Sequence, residues 1–147
     1  MIKIVMGIPC SGKSYFIEKN FPNIKKIDLY DYQKELSYDK IWDSYVAVKD
    51  EIIKCIQNKE DFIVEHTLLR AERRKYYIDE IRKVTDEDIA LYFVSCDDKT
   101  YKEHCDERGI PYVCLNENPN MEILEKPTLD EGFKEIHFIE NTFSNKK

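Results

Sequence analysis

The chain has 147 residues, with 23 basic against 29 acidic side chains and a formal net charge of −6. That length predicts a single domain over 1–147, large enough to bury a core without disulfides or metals as staples. With 42% hydrophobic and 12% aromatic residues the chain is too apolar to be disordered. No apolar run approaches the ~20 residues of a membrane helix. The opening MIKIVMGIPCSGK lacks the apolar core of a secretory signal. Cys10, Cys55, Cys96, Cys105 and Cys114 are odd in number and form no C-x-x-C pair, which predicts reduced thiols and a cytoplasmic protein. Cys96, His104 and Cys105 are not spaced as the close ligand pairs of structural zinc sites. The acidic balance speaks against a surface that grips nucleic acid over its whole extent.

Ile2 to Met6 is a β-branched run of strand length, ended by Gly7, Pro9 and Gly12. Lys13 to Asn20 reads as a short helix, broken by Asn20-Phe21-Pro22-Asn23, and Ile24 to Asp28 as a second strand. Residues 39–58 carry Ile41, Tyr45, Val48, Ile52 and Ile56 at three- and four-residue steps, the longest helical pattern. Asp61 to Glu65 is a third strand, followed by a helix over Ala71 to Lys83. Ile89 to Ser95 is the most strand-like run, followed by a polar helix from Asp98 to Glu107, which Gly109-Ile110-Pro111 stops. Residues 114–131, rich in Asn, Pro and acid, read as the most mobile stretch. A last strand fits Glu135 to Glu140, leaving Asn141 to Lys147 as a frayed tail. Strands alternating with helices predict an α/β fold: a five-stranded parallel sheet with helices on both faces.

Gly7-Ile8-Pro9-Cys10-Ser11-Gly12-Lys13-Ser14 matches G-x-x-x-x-G-K-[ST] at every fixed position. Gly7 lets the chain leave the strand sharply, and Gly12 lets backbone approach a phosphate with no Cβ in the way. The loop amides and the following helix N-terminus present positive charge to an anion. Lys13 is predicted to face a nucleotide's β/γ-phosphates, and Ser14 to bind Mg²⁺. Residues 7–14 with the following Tyr15 form the expected nucleotide site. No N-K-x-D stands in the chain to read guanine, and no strand ends in a plain acidic pair; the third closes on Glu65 and His66. Three of the five arginines, Arg70, Arg73 and Arg74, fall within five residues. They read either as the solvated start of a helix or as ligands of a substrate phosphate.

Four stretches carry a resemblance to the polynucleotide-kinase branch of P-loop kinases, a group that includes zeta-toxin-like proteins and RNA or DNA 5′-hydroxyl kinases. They are the cradle itself, Ile27-Asp28-Leu29-Tyr30-Asp31-Tyr32-Gln33, Thr67-Leu68-Leu69-Arg70-Ala71-Glu72-Arg73-Arg74, and Arg108-Gly109 with the later Pro127 to Phe133. The resemblance implies a three-layer P-loop NTPase fold with a helical lid at approximately 98–126. It implies ATP- and Mg²⁺-dependent transfer of the γ-phosphoryl to a hydroxyl, foremost the 5′-hydroxyl of a nucleic acid. The alternatives are a nucleoside or sugar kinase, or a nucleotide-binding module without transfer. Asp31 or Asp28 would be the base, and Arg108 would close over the transferring group. Gln33, His66, Arg70, Arg73 and Arg74 would meet the acceptor. The sequence departs from the family pattern at Tyr30, Gln33, His66 and His104, all but His104 on the acceptor side.

Overall fold

The computed structural model describes residues 1–34 and 40–141. Five strands, β1 (Ile2–Met6), β2 (Lys25–Asp28), β3 (Phe62–His66), β4 (Ile89–Cys96) and β5 (Glu135–Asn141), form one sheet in the order β2-β3-β1-β4-β5. Every pairing is parallel. The central strands are buried on both faces, as a parallel sheet covered by crossover helices requires. Ile4, Met6, Val64 and Leu91 pack beneath α3 (Ile41–Gln57) and α4 (Ala71–Arg82). Val5, Ile63 and Val94 face Phe16 and Ile17 of α1 (Lys13–Asn20) on the other side. This is the three-layer α/β arrangement predicted from the alternation of strands and helices.

The element ends are set by local chemistry. The Asp28 side chain accepts from Tyr30 N at 3.0 Å and starts α2 (Leu29–Gln33), a helix too short to show periodicity in sequence. The Asp97 side chain accepts from Thr100 N and caps α5 (Asp98–Arg108), and Gly109 closes that helix at φ 67. The 39–58 pattern becomes α3 from Ile41; residue 39 lies outside the described residues.

Two expectations need correction. The 114–131 stretch is tied to the body: Glu125 N donates to Leu69 O at 2.7 Å, and buried Asn118 donates to Tyr101 Oη at 2.8 Å. Asn118 also caps α6 (Pro119–Ile123). Asn141 does not begin a frayed tail; it ends β5 and is buried. Residues 142–147 lie outside the described residues.

Candidate active site

The loop between β1 and α1 sits at the carboxyl edge of the sheet, where parallel α/β folds bind ligands. A Cβ on Gly7 would collide with the Val94 carbonyl, and Gly12 adopts φ 100, so both glycines are required by the backbone path. Cys10 also lies in the left-handed region, at φ 68. The carbonyls of residues 10–12 are held from outside the loop. His104 Nδ1 lies 2.8 Å from Cys10 O, and Asn141 Nδ2 donates to Ser11 O at 3.0 Å and Gly12 O at 3.3 Å. The N-terminal end of α1, whose first-turn amides point along the helix axis, faces the same edge as the loop. The Ser11 hydroxyl is buried without a partner among the described residues.

Lys13 is not simply exposed to a ligand, as the sequence suggested. Its ammonium turns back on the loop and donates to Gly7 O at 2.9 Å and Ile8 O at 3.0 Å. Burial lowers its pKa to about 8, against the opposing pull of Glu65. Ser14 Oγ donates to Glu65 Oε1 at 2.7 Å. Burial raises the Glu65 pKa, and nearby Asp28 adds to the effect; the two acids are register partners on β2 and β3. Hydroxyl beside carboxylate is an oxygen donor set that fits Mg²⁺, with Ser14 and Glu65 the residues that would hold it. In sequence Glu65 is a single acid beside His66 at a strand end, so no acidic pair marks it as a metal ligand.

A cavity of about 670 Å³ opens over this edge. Pro9, Cys10, Gly12, Lys13 and Ser14 form one wall, and Asp28, Gln33, Glu65, His66 and Thr67 the other. Arg108, the last residue of α5, lies at the rim with Ile110. Of the two acids expected as base, Asp28 lines the cavity. Asp31 does not; it is exposed and 4.0 Å from Lys34. Gly7, Ile8, Ser11 and Tyr15 are not among its lining residues; the Tyr15 ring lies against Lys19.

The arginine trio stands outside the cavity lining. Arg74 is fully buried: Nε donates to Glu131 Oε1 at 2.6 Å, Nη2 to Oε2 at 3.1 Å and Nη1 to Leu68 O at 2.8 Å. That fork ties α4 to the 129–131 turn and engages the whole guanidinium away from the cavity. The Arg73 guanidinium lies 4.9 Å from the Trp42 ring centre and 5.2 Å from that of Tyr45. Arg70 is exposed just before α4. His66, by contrast, is among the residues that line the cavity. It is 1% exposed, and burial lowers its pKa to about 3, aided by the charges of Lys13 and Arg73.

No protein-family profile matches the chain, and no curated protein does. Solved structures do. A protein from Chloroflexus aurantiacus, provisionally named a kinase, superposes with a TM-score of 0.71 at 10% identity, over 99% of this chain and 90% of that one. The likeness is one of fold, the three-layer α/β P-loop arrangement. A gluconokinase from Sinorhizobium meliloti gives 0.61 at 18% identity, over 95% and 81%. A chain of the Pnkp1/Rnl/Hen1 RNA repair complex gives 0.63 at 16%, over 83% of this chain and 41% of that one. Among the described residues no helix is long and apolar enough to cross a membrane.

Proposed function

We propose that the protein is a phosphotransferase that moves the γ-phosphoryl of Mg²⁺-ATP to the hydroxyl of a small acceptor. The observation that carries this reading is one cavity holding a phosphate loop on one wall and a carboxylate, Asp28, on the other. In this reading the loop amides and Lys13 hold the β/γ-phosphates once the ammonium leaves the Gly7 and Ile8 carbonyls. Ser14 and Glu65 would hold the metal, which when bound would neutralise charge on the phosphate oxygens. Asp28 accepts the proton of the acceptor hydroxyl. The acceptor oxygen then bonds to the γ-phosphorus as the bond to the β-bridging oxygen breaks and ADP leaves. Arg108, exposed at a helix end, covers the charge that spreads over the transferring group. Residues of the 98–126 lid exclude water. The five unpaired cysteines support a reducing, cytoplasmic setting.

A second reading keeps the chemistry and makes the acceptor a nucleic-acid 5′-hydroxyl. It is favoured by the Trp42–Arg73 stack, with Trp42 46% exposed, and by the likeness to the RNA repair chain. Incubation with γ-labelled ATP tests both against a panel of nucleosides, sugars and 5′-hydroxyl oligonucleotides, with Lys13→Ala as the blank. Label on a nucleoside or sugar supports the first reading, and label on oligonucleotides alone the second. Label on none overturns phosphotransfer.

A further inference from the structure

One face of α5 is built against the phosphate loop. Tyr101, His104, Cys105 and Arg108 recur at three- and four-residue steps, so they share a stripe of that helix. Tyr101 and Cys105 are buried in a small apolar cluster with Ile8 and Cys10 of the loop. His104 Nδ1 lies 2.8 Å from Cys10 O, and a Cβ on Gly12 would come within 3.4 Å of its ring. Arg108, about one turn further on, lines the cavity, and its charge acts on both Cys10 and Lys13.

A carbonyl oxygen only accepts, so in this contact His104 carries a proton on Nδ1, whatever the charge of the ring. The residue it holds has a backbone few side chains adopt, Cys10 at φ 68, and such a conformation persists where its surroundings over-determine it. The start of α5 is attached separately: Asp97 N donates to Asn141 O at 3.4 Å, and the Asn141 side chain holds the Ser11 and Gly12 carbonyls. From Asp97 to Arg108 the helix is a lever of about 16 Å, so a tilt of about 10° at its start moves the far end by about 3 Å. The apolar contacts of Tyr101 and Cys105 are non-directional. The His104 bond is the directional contact beyond the pivot.

We infer that His104 is a positioning residue: through Cys10 O it fixes the direction of the lid helix on the phosphate loop and so sets where Arg108 stands over the cavity. The inference rests on the phosphotransferase reading for the part Arg108 plays in turnover, whereas the docking of α5 on the loop does not. The donor is what matters. Asparagine carries its amide nitrogen on Cγ, as histidine carries Nδ1, while phenylalanine keeps a ring and offers no donor.

The test is kcat and KM for ATP in His104→Phe and His104→Asn, each with and without Arg108→Ala, with thermal melting alongside. His104→Phe should lower kcat by about tenfold to a hundredfold, the scale for a misplaced catalytic group, and His104→Asn should restore most of it. In the Arg108→Ala background His104→Phe should lower kcat little further, because the two residues act as one unit. Nitrogen-15 NMR should place a proton on His104 Nδ1. A neutral ring protonated on Nε2, a loss at His104 that adds in full to the loss at Arg108, or no rescue by asparagine overturns the inference. If the wild type transfers no phosphoryl group to any hydroxyl, the phosphotransferase reading falls, and hydrogen exchange decides the docking. Residues 101–108 should then exchange faster in His104→Phe than in wild type or His104→Asn; equal exchange in all three overturns the inference.

Discussion

Ser14 Oγ donates to Glu65 Oε1 across 2.7 Å, which joins the phosphate loop to the end of β3. The contact puts an acid beside the hydroxyl that would meet the metal, and its removal separates catalysis from folding. Glu65→Gln keeps a hydrogen-bond acceptor for Ser14 but loses the negative charge. Turnover should fall about a hundredfold or more. Because burial raises the Glu65 pKa above its unfolded value, its contribution to stability is present at low pH and is lost as pH rises through the folded value. The neutral glutamine avoids that loss, so the melting temperature at pH 7 should hold or rise. A large drop in melting temperature with unchanged turnover would make Glu65 a structural residue.

Lys13 gives a pH signature. Its pKa in the free protein is lowered to about 8, and a bound polyphosphate favours the charged form. ATP affinity should therefore be constant well below pH 8 and weaken as pH rises through it. Lys13→Ala should bind ATP weakly and lose this dependence. Calorimetric titration between pH 6.5 and 9.5, on the order of one unit either side of that value and beyond, checks both; affinity that rises with pH would contradict the assignment.

The rim arginine separates a catalytic from a capping role. Arg108→Ala should lower kcat about a hundredfold while ATP binding changes little, since the contact belongs to the transition state. Arg108→Lys should recover little of it, because one ammonium cannot reproduce a planar fork. A helix-end cation alone would be worth at most about 1 kcal/mol and would be replaced well by lysine. Turnover of both variants at saturating ATP, with thermal melting alongside, decides between the two.

Arg74→Ala should act on stability. It leaves Glu131 without its buried partner, which should cost about 3–5 kcal/mol. Joint replacement, Arg74→Met with Glu131→Leu, should restore much of the loss, because no charge is then stranded. Denaturant unfolding measures both; an Arg74→Ala variant that melts normally but loses acceptor affinity would return this residue to the substrate.

The parts legible in sequence were those written locally. The β-branched run of β1, the glycines of the cradle and the three- and four-residue steps of α3 each specify a conformation from neighbouring residues. What escaped depends on contacts between distant ones. Glu65 gains its meaning from Ser14, 51 positions away, and Arg74 is claimed by Glu131, 57 positions away. Asn141 read as tail, yet it reaches back 130 residues to hold the Ser11 carbonyl. Helix α2 spans under two turns and exists because Asp28 caps it, which no periodicity could reveal. Among the candidate bases, only the path of that short helix separates Asp28, in the cavity, from Asp31, in solvent.

The measurement that tests the central claim most directly is label transfer from γ-labelled ATP to an acceptor hydroxyl by wild type, Asp28→Asn and Asp31→Asn. The account predicts labelled product from wild type and Asp31→Asn alike. For Asp28→Asn it predicts a rate lower by about 10²–10⁴ with ATP binding retained, the range for loss of a general base. Labelled product formed as fast by Asp28→Asn as by wild type, or no product from any hydroxyl by a protein that binds Mg²⁺-ATP, would contradict it.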